Sequence, residues 1–239
     1  MTSRSIHPLS SPNHSPDSNV APRTLVVGAT GLVGRACARA WLLDERRPQV
    51  IALVRRPPSP PLDVDEEAAR RLRVAVIDFA ALEQHRDLLE ADHVVCALGT
   101  TRKQAGSKEA FRAVDYDLAL RVATMARAQG ARHLLLVSAV GADARSRVFY
   151  NRVKGELEEA VGRLGYPSLT IARPSVLQGP RAEHRPGEAL AQRLGVILPS
   201  AYRPVHASQV AAALHDAARR DLPGVRVIEN RELLSFARR

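Results

Sequence analysis

Tyr150 and Lys154 stand four residues apart in the stretch "VFYNRVKGELE" (148–158). Four residues is just over one helical turn, so on a helix the phenol and the ammonium share a face. A phenol with a pKa of about 10 is a poor base at neutral pH, but a nearby cation favours the phenolate and makes it a usable proton donor and acceptor. Gly155, next to the lysine, would keep the helix surface low at that point. The pair is equally readable as two residues sharing an exposed helix face, so its meaning depends on the elements around it.

A second group of residues lies near the start of the chain. "VVGATGLVGRA" (26–36) places Gly28, Gly31 and Gly34 between an apolar β-branched run and a helical pattern. In such a strand–turn–helix the first glycine makes the tight turn, the second lets a pyrophosphate approach the backbone, and the third lets helix and strand pack closely. The anion would rest on the N–H groups and positive dipole end of the helix. The spacing, G-x-x-G-x-x-G, suits a dinucleotide. At the end of the second strand, where an NAD site would carry a carboxylate, the chain reads "VRRPP", and Arg55 and Arg56 are suited to a 2′-phosphate. NADPH is therefore expected over NADH, the alternative being two solvated arginines beside a proline loop. "VIDFA" offers Asp78 and the Phe79 backbone for an adenine, and "CALGTTR" offers Ala97, Leu98 and Gly99 along the cofactor. Either could also be an ordinary strand exit.

Strand-like runs at 24–29, 49–54, 71–78, 91–99, 131–140 and 168–174 alternate with longer helical patterns, among them 31–45, 108–129 (closed by Gly130) and 145–164. Strands apolar on both faces, alternating with helices, predict an α/β fold with a doubly wound parallel sheet. After Pro174 the pattern loosens into a small C-terminal lid region, about 175–205. A short strand near "RPVHA", a helix over 207–220 and a last strand "GVRVIE" follow. The organisation expected is a disordered leader, 1–22, rich in Ser, Pro and Asn, and one domain over 23–239.

Composition narrows the function. The chain of 239 residues carries a net charge of +10, almost all of it arginine, with lysine only at 103, 108 and 154. The arginines are scattered without a cationic stripe or interleaved aromatics, so no specific nucleic-acid binding is expected. No apolar run is long enough to span a bilayer. The leader has neither a secretory h-region nor an arginine-rich amphipathic pattern, and Cys37 and Cys96 lie far apart, as thiols in a reducing compartment do. A cytoplasmic location follows as the expectation. No cluster has metal-ligand spacing, and no metal is expected. His133 and His206 read as packed, hydrogen-bonded residues, and Arg173 as structural.

Taken together, "GATGLVG", "VIDF", "CALGTTRKQAG", "VDYD", "HLLLVSAVGAD", "YNRVKGELE", "ARPSVLQGP" and "HRPGE" resemble the atypical or extended short-chain dehydrogenase/reductases, most closely the Tat-interacting-protein oxidoreductases. The likeness covers roughly residues 23–220. It implies an NAD(P)-binding Rossmann fold, with Tyr150 as proton donor and Lys154 as its helper. Thr30, Gly31, Leu32 and Val33 would lie on the phosphates, Arg55 on the 2′-phosphate, and Leu98 and Gly99 along the cofactor. Leu177 and Arg185 would close over it. The family also places a hydroxyl at the end of the fifth strand to hold a carbonyl oxygen. Ser138 stands there, although the acting hydroxyl in many relatives lies a residue or two further on, where this chain has Ala139 and Val140; Ser138 then either orients substrate or merely satisfies the strand end.

The activity implied is NADPH-dependent reduction of a small carbonyl compound by a monomer or homodimer. The alternative is an NADP(H)-binding redox sensor or scaffold that regulates a protein partner with little turnover. Tyr150 and Lys154 favour the enzyme. The missing second hydroxyl and the short substrate region favour the scaffold.

Overall fold

The computed structural model describes residues 22–179 and 199–237. Most of the leader, Arg185 and most of the lid region lie outside the described residues. The central feature is a seven-stranded, all-parallel sheet. Its strands in chain order are β1 (Arg23–Val27), β2 (Gln49–Val54), β3 (Leu72–Val76), β4 (His93–Cys96), β5 (His133–Val137), β6 (Ser168–Arg173) and, last, β9 (Gly224–Glu229). Across the sheet they run β3-β2-β1-β4-β5-β6-β9. The order reverses between β1 and β4, and the crevice outside the carboxyl ends of those strands is where such sheets take ligands. A separate two-stranded ribbon pairs β7 (Leu177–Gln178) with β8 (Val205–His206).

Helices cover both faces, as the doubly apolar strands require. On one face lie α1 (Leu32–Leu42) and α7 (Ala207–Arg220). Val33, Cys37, Ala38 and Trp41 of α1 meet Val210, Ala213, Leu214 and Ala217 of α7 over the strands. The alanines let the two helices approach closely, and Trp41, 1% exposed, fills the remaining space. On the other face, Val122, Ala123 and Ala126 of α5 (Ala119–Ala128) and Leu157 and Val161 of α6 (Phe149–Gly162) cover Leu134, Leu136 and Ile171. Burial of each such leucine or isoleucine side chain contributes roughly 1.5–3 kcal/mol. The outermost strands, β3 and β9, are covered less, and Val76 and Val225 are exposed.

The helix over 207–220 and the strand over 224–229 have the bounds expected from sequence. The single helix expected over 108–129 does not. It consists of α4 (Lys108–Arg112), a π-helical turn (Ala113–Leu118) and α5. A π turn adds a residue to the helical repeat and re-aims its side chains, and here it directs Asp115 into the interior, where it is fully buried. Among the elements absent from the sequence reading are two short helices, α2 (Glu66–Arg70), capped by Asp65, and α3 (Arg102–Ala105), capped by Thr101. Both are too short for periodicity to reveal. A 3₁₀ segment over Phe79–Leu89 and the final α8 (Asn230–Leu233) complete the described elements.

Candidate active site

The turn between β1 and α1 is built as its glycines suggest. Gly28 has φ +86°, and a Cβ there would lie 2.5 Å from the Ala97 carbonyl oxygen, so the loops leaving β1 and β4 touch at this point. Gly31 N–H donates to the Gly28 carbonyl at 2.9 Å. A Cβ on Gly34 would fall 2.1 Å from that same carbonyl, which leaves glycine as the residue that lets α1 meet the turn. Gly31 has an ordinary extended backbone and serves as the N-cap without a side-chain cap, and no acidic residue occupies the first turn. Thr30 and Gly31 are exposed, Leu32 is half-buried, and the Val33 side chain is committed to the core. The first-turn N–H groups thus form an uncapped positive helix end open to solvent. This donor set fits a dinucleotide pyrophosphate.

Most of the other expected cofactor residues follow the carboxyl ends of the neighbouring strands β2, β3 and β4. Arg55 and Arg56 are exposed just after β2. The loop that follows is tied to α1 by Arg35, which donates to the carbonyls of Pro60 and Pro61 at 2.7 and 2.9 Å. Asp78 caps the 3₁₀ segment by accepting from the Ala80 N–H at 2.9 Å and is exposed, whereas the Phe79 side chain is buried in the core. Leu98 is half-buried and Gly99 exposed. Leu177, in β7, is half-buried against the α1 side of the core. A Cβ on nearby Gly179 would lie 2.8 Å from Leu32 Cδ1, so the chain leaving β7 passes over the start of α1.

Tyr150 lies in the first turn of α6, with its ring 5.7 Å from that of Phe111 and 37% of the residue exposed. Lys154, one turn on, is buried, and its Nζ is 2.8 Å from Asp115 Oδ1. The other carboxylate oxygen of Asp115 accepts the Thr100 N–H at 2.8 Å. Burial alone would push the Lys154 ammonium down. Asp115 first, and Tyr150 with it, act in the opposite direction, and the net shift is upward. A Cβ on Gly99 would lie 3.6 Å from Asp115 Oδ1 and 3.9 Å from Lys154 Nζ. The structure therefore brings Gly99, Asp115 and Lys154 together. Asp115 is the residue sequence reasoning missed. Its signal in the sequence is the "VDYD" motif (114–117).

Two further residues are engaged by the protein's own packing. The hydroxyl of Ser138 donates to Glu158, which also forms a bidentate pair with Arg173. Arg173 bonds Glu229 as well, at 3.0 Å. The Ser138 hydroxyl is thus part of a polar network running from β5 through α6 to β9. Gly155 is required for a reason unrelated to any cofactor: a Cβ there would fall 2.2 Å from Ala144 N and the Asp143 carbonyl carbon. The backbone of the β5–α6 loop lies directly on α6 at that point and sets the position from which Tyr150 starts.

A parallel doubly wound sheet with a glycine turn at its switch point defines the fold of a dinucleotide-binding protein. The chain belongs to the NAD(P)H-binding family, whose pattern matches residues 28–219. It is 33% identical to Protein HTATIP2 of Rattus norvegicus over 89% of this chain and 88% of that protein. It is also 35% identical to Protein FMP52, mitochondrial, of Eremothecium gossypii, over 90% of this chain and 96% of that one. The resemblance to the Tat-interacting-protein group holds. Among solved structures, a 3-oxoacyl-[acyl-carrier protein] reductase from Brucella melitensis superposes with a TM-score of 0.64. It is 17% identical, over 91% of this chain and 98% of that chain. The Bordetella bronchiseptica enzyme WbmG in complex with NAD gives 0.63 at 18% identity, over 90% and 74%. At such identities the likeness is one of fold.

The cytoplasmic expectation is overturned. FMP52 relatives from Candida albicans, Eremothecium gossypii and Emericella nidulans are named as mitochondrial proteins. The reasoning failed because two buried thiols report only a reducing environment and do not single out the cytoplasm.

Proposed function

We propose that the protein is an NADPH-dependent reductase of small carbonyl compounds, with Tyr150 as the proton donor. The observation that carries this reading is the buried Lys154–Asp115 pair beside exposed Gly99, one helical turn from a partly exposed tyrosine. Thr30, Gly31 and the N–H groups of Leu32 and Val33 would hold the pyrophosphate, and Gly28 and Gly34 would shape its turn. Arg55, with Arg56, would meet the 2′-phosphate, Asp78 and the Phe79 backbone would border the adenine, and Leu98, Gly99 and Leu177 would line the remainder. A reduced nicotinamide bound in this groove would supply the hydride chemistry of carbonyl reduction. Tyr150 gives its hydroxyl proton to the carbonyl oxygen as negative charge develops there. Lys154 stabilises the phenolate left behind, and Asp115 keeps that ammonium charged and fixed despite its burial. Proton return from solvent to Tyr150 completes the cycle, and its partial exposure permits this.

The Ser138–Glu158 bond favours a second reading. A serine engaged in a structural network is a weak holder of a carbonyl oxygen, and an NADP(H)-binding sensor or scaffold needs no such group. One experiment separates the two. The purified protein is titrated with NADPH and NADH by nucleotide fluorescence, then screened against carbonyl compounds beside the Tyr150→Phe variant. Tight NADPH binding, weak NADH binding and turnover lost only in the variant support the reductase. Binding without turnover supports the sensor, and no binding of either nucleotide sinks both.

A further inference from the structure

At the opposite end of the sheet from the groove, β4 and β5 begin with His93 and His133, which are aligned in register. Their rings meet edge to face with centroids 5.8 Å apart. Asp221, the residue that ends α7, adopts the left-handed conformation (φ 42°, ψ 42°) that turns the chain back toward them. Its Oδ1 is 2.9 Å from His133 Nδ1, and its Oδ2 is 3.8 Å from His93 Nε2. One ligand atom from each of the three residues lies within 4.8 Å of the others. His93 is 3% exposed, its Nδ1 has no hydrogen-bond partner, and its Nε2 is beyond hydrogen-bond length from Asp221. A ligand placed between the rings and the carboxylate would engage Nε2, the ring atom that Asp221 does not reach.

We propose that His93, His133 and Asp221 form a binding site for a transition-metal dication of the Zn²⁺ class, independent of the cofactor groove. Two imidazoles and one carboxylate suit Zn²⁺ or Co²⁺; Mg²⁺ and Ca²⁺ require more oxygen ligands. Bonds of about 2.0–2.1 Å to a tetrahedral ion put ligand atoms about 3.3–3.4 Å apart. The His133–Asp221 pair opens slightly to meet this, and His93 closes toward the carboxylate by a ring tilt. With Nδ1 on the ion, His133 carries its proton on Nε2, where Thr170 Oγ1 stands 2.9 Å away to accept it and hold the ring's orientation. The Asp221 side chain is 25% exposed, which gives the ion an entrance and leaves room for a water as fourth ligand. Arg132, 3.5 Å from Asp221 Oδ2 and 3.9 Å from Asp92 Oδ1, is the one cation near the carboxylate among the described residues. Its side chain is half exposed and can turn into solvent as the dication arrives.

The test uses the full chain without an affinity tag, stripped with a chelator and free of nucleotide. Zn²⁺ and Co²⁺ are titrated by equilibrium dialysis and thermal unfolding, with Mg²⁺ as control. The expected result is one Zn²⁺ per chain, with the melting temperature raised by about 5–10 °C at a hundredfold excess over Kd. Co²⁺ should give the visible absorption of a tetrahedral site. His93→Gln and Asp221→Asn should each weaken binding at least tenfold. Asparagine tolerates the left-handed backbone, so Asp221→Asn is the variant expected to keep its fold. Absence of Zn²⁺ binding, an equal response to Mg²⁺, or a loss below tenfold in Asp221→Asn would overturn the site, the last by placing the ion on other histidines of the chain.

Discussion

Removal of Asp115 tests the core of the proposed active site without any substrate. Lys154 is buried, and Asp115, 2.8 Å away, is the carboxylate that keeps it charged. Asp115→Ala leaves a buried ammonium without its counter-charge and the Thr100 N–H without its acceptor. Loss of one partner from a buried pair costs about 3–5 kcal/mol. For a chain of this size that is a fall of roughly 6–20 °C in melting temperature. Asp115→Asn keeps an oxygen for the Thr100 N–H and isolates the contribution of the charge. In the double variant Asp115→Leu/Lys154→Met no buried charge remains, and most of the lost stability should return. The assay is urea unfolding followed by circular dichroism, with the wild type, Asp115→Leu, Lys154→Met and the double variant treated as a double-mutant cycle and a coupling energy of at least ~2 kcal/mol expected. If Asp115→Ala costs less than about 1 kcal/mol, or the single effects simply add, the pair does not hold the lysine and the reasoning fails.

Arg55→Ala should weaken NADPH binding by tenfold or more, about 1.4 kcal/mol, and leave NADH nearly unchanged; equal losses in fluorescence titrations would show that Arg55 does not read the 2′-phosphate. Gly34→Ala puts a Cβ 2.1 Å from the Gly28 carbonyl, so it should lower stability by about 1–3 kcal/mol and abolish nucleotide binding, and a variant that binds normally would refute the close approach. Asp44 bears on acid stability. Burial would raise its carboxyl, but hydrogen bonds and charge from Arg46, with His215 beside it, hold it at about 2. A depressed pKa stabilises the fold above the unfolded value and loses that contribution as pH falls through the folded one. Asp44→Asn should therefore cost about 2 kcal/mol at pH 7, shrinking to roughly a few tenths by about pH 2 and vanishing below it, as read from urea midpoints across that window.

The residues that were legible in advance act through local geometry. A strand, a turn and a helix with glycines at fixed intervals specify their own shape, because the carbonyl of Gly28 crowds Gly34 within a single turn of chain. Tyr150 and Lys154 share a face through helical spacing alone. The bounds of α7 and β9 follow from apolar periodicity and a single turn between them. Other features depend on residues distant in sequence. The partner of Lys154 is set by the neighbouring positions of β4 and β5 in the sheet and by a π turn that the even helical pattern of 108–129 concealed. Ser138 faces Glu158 because β5 and α6 pack there, and Gly155 is needed because a loop backbone presses on it. His93, His133 and Asp221 have no meaningful spacing in sequence, and they meet because two parallel strands start in register beside the end of a helix. Spacing within one element fixes which side chains share a face, but only the packing of elements decides what that face meets.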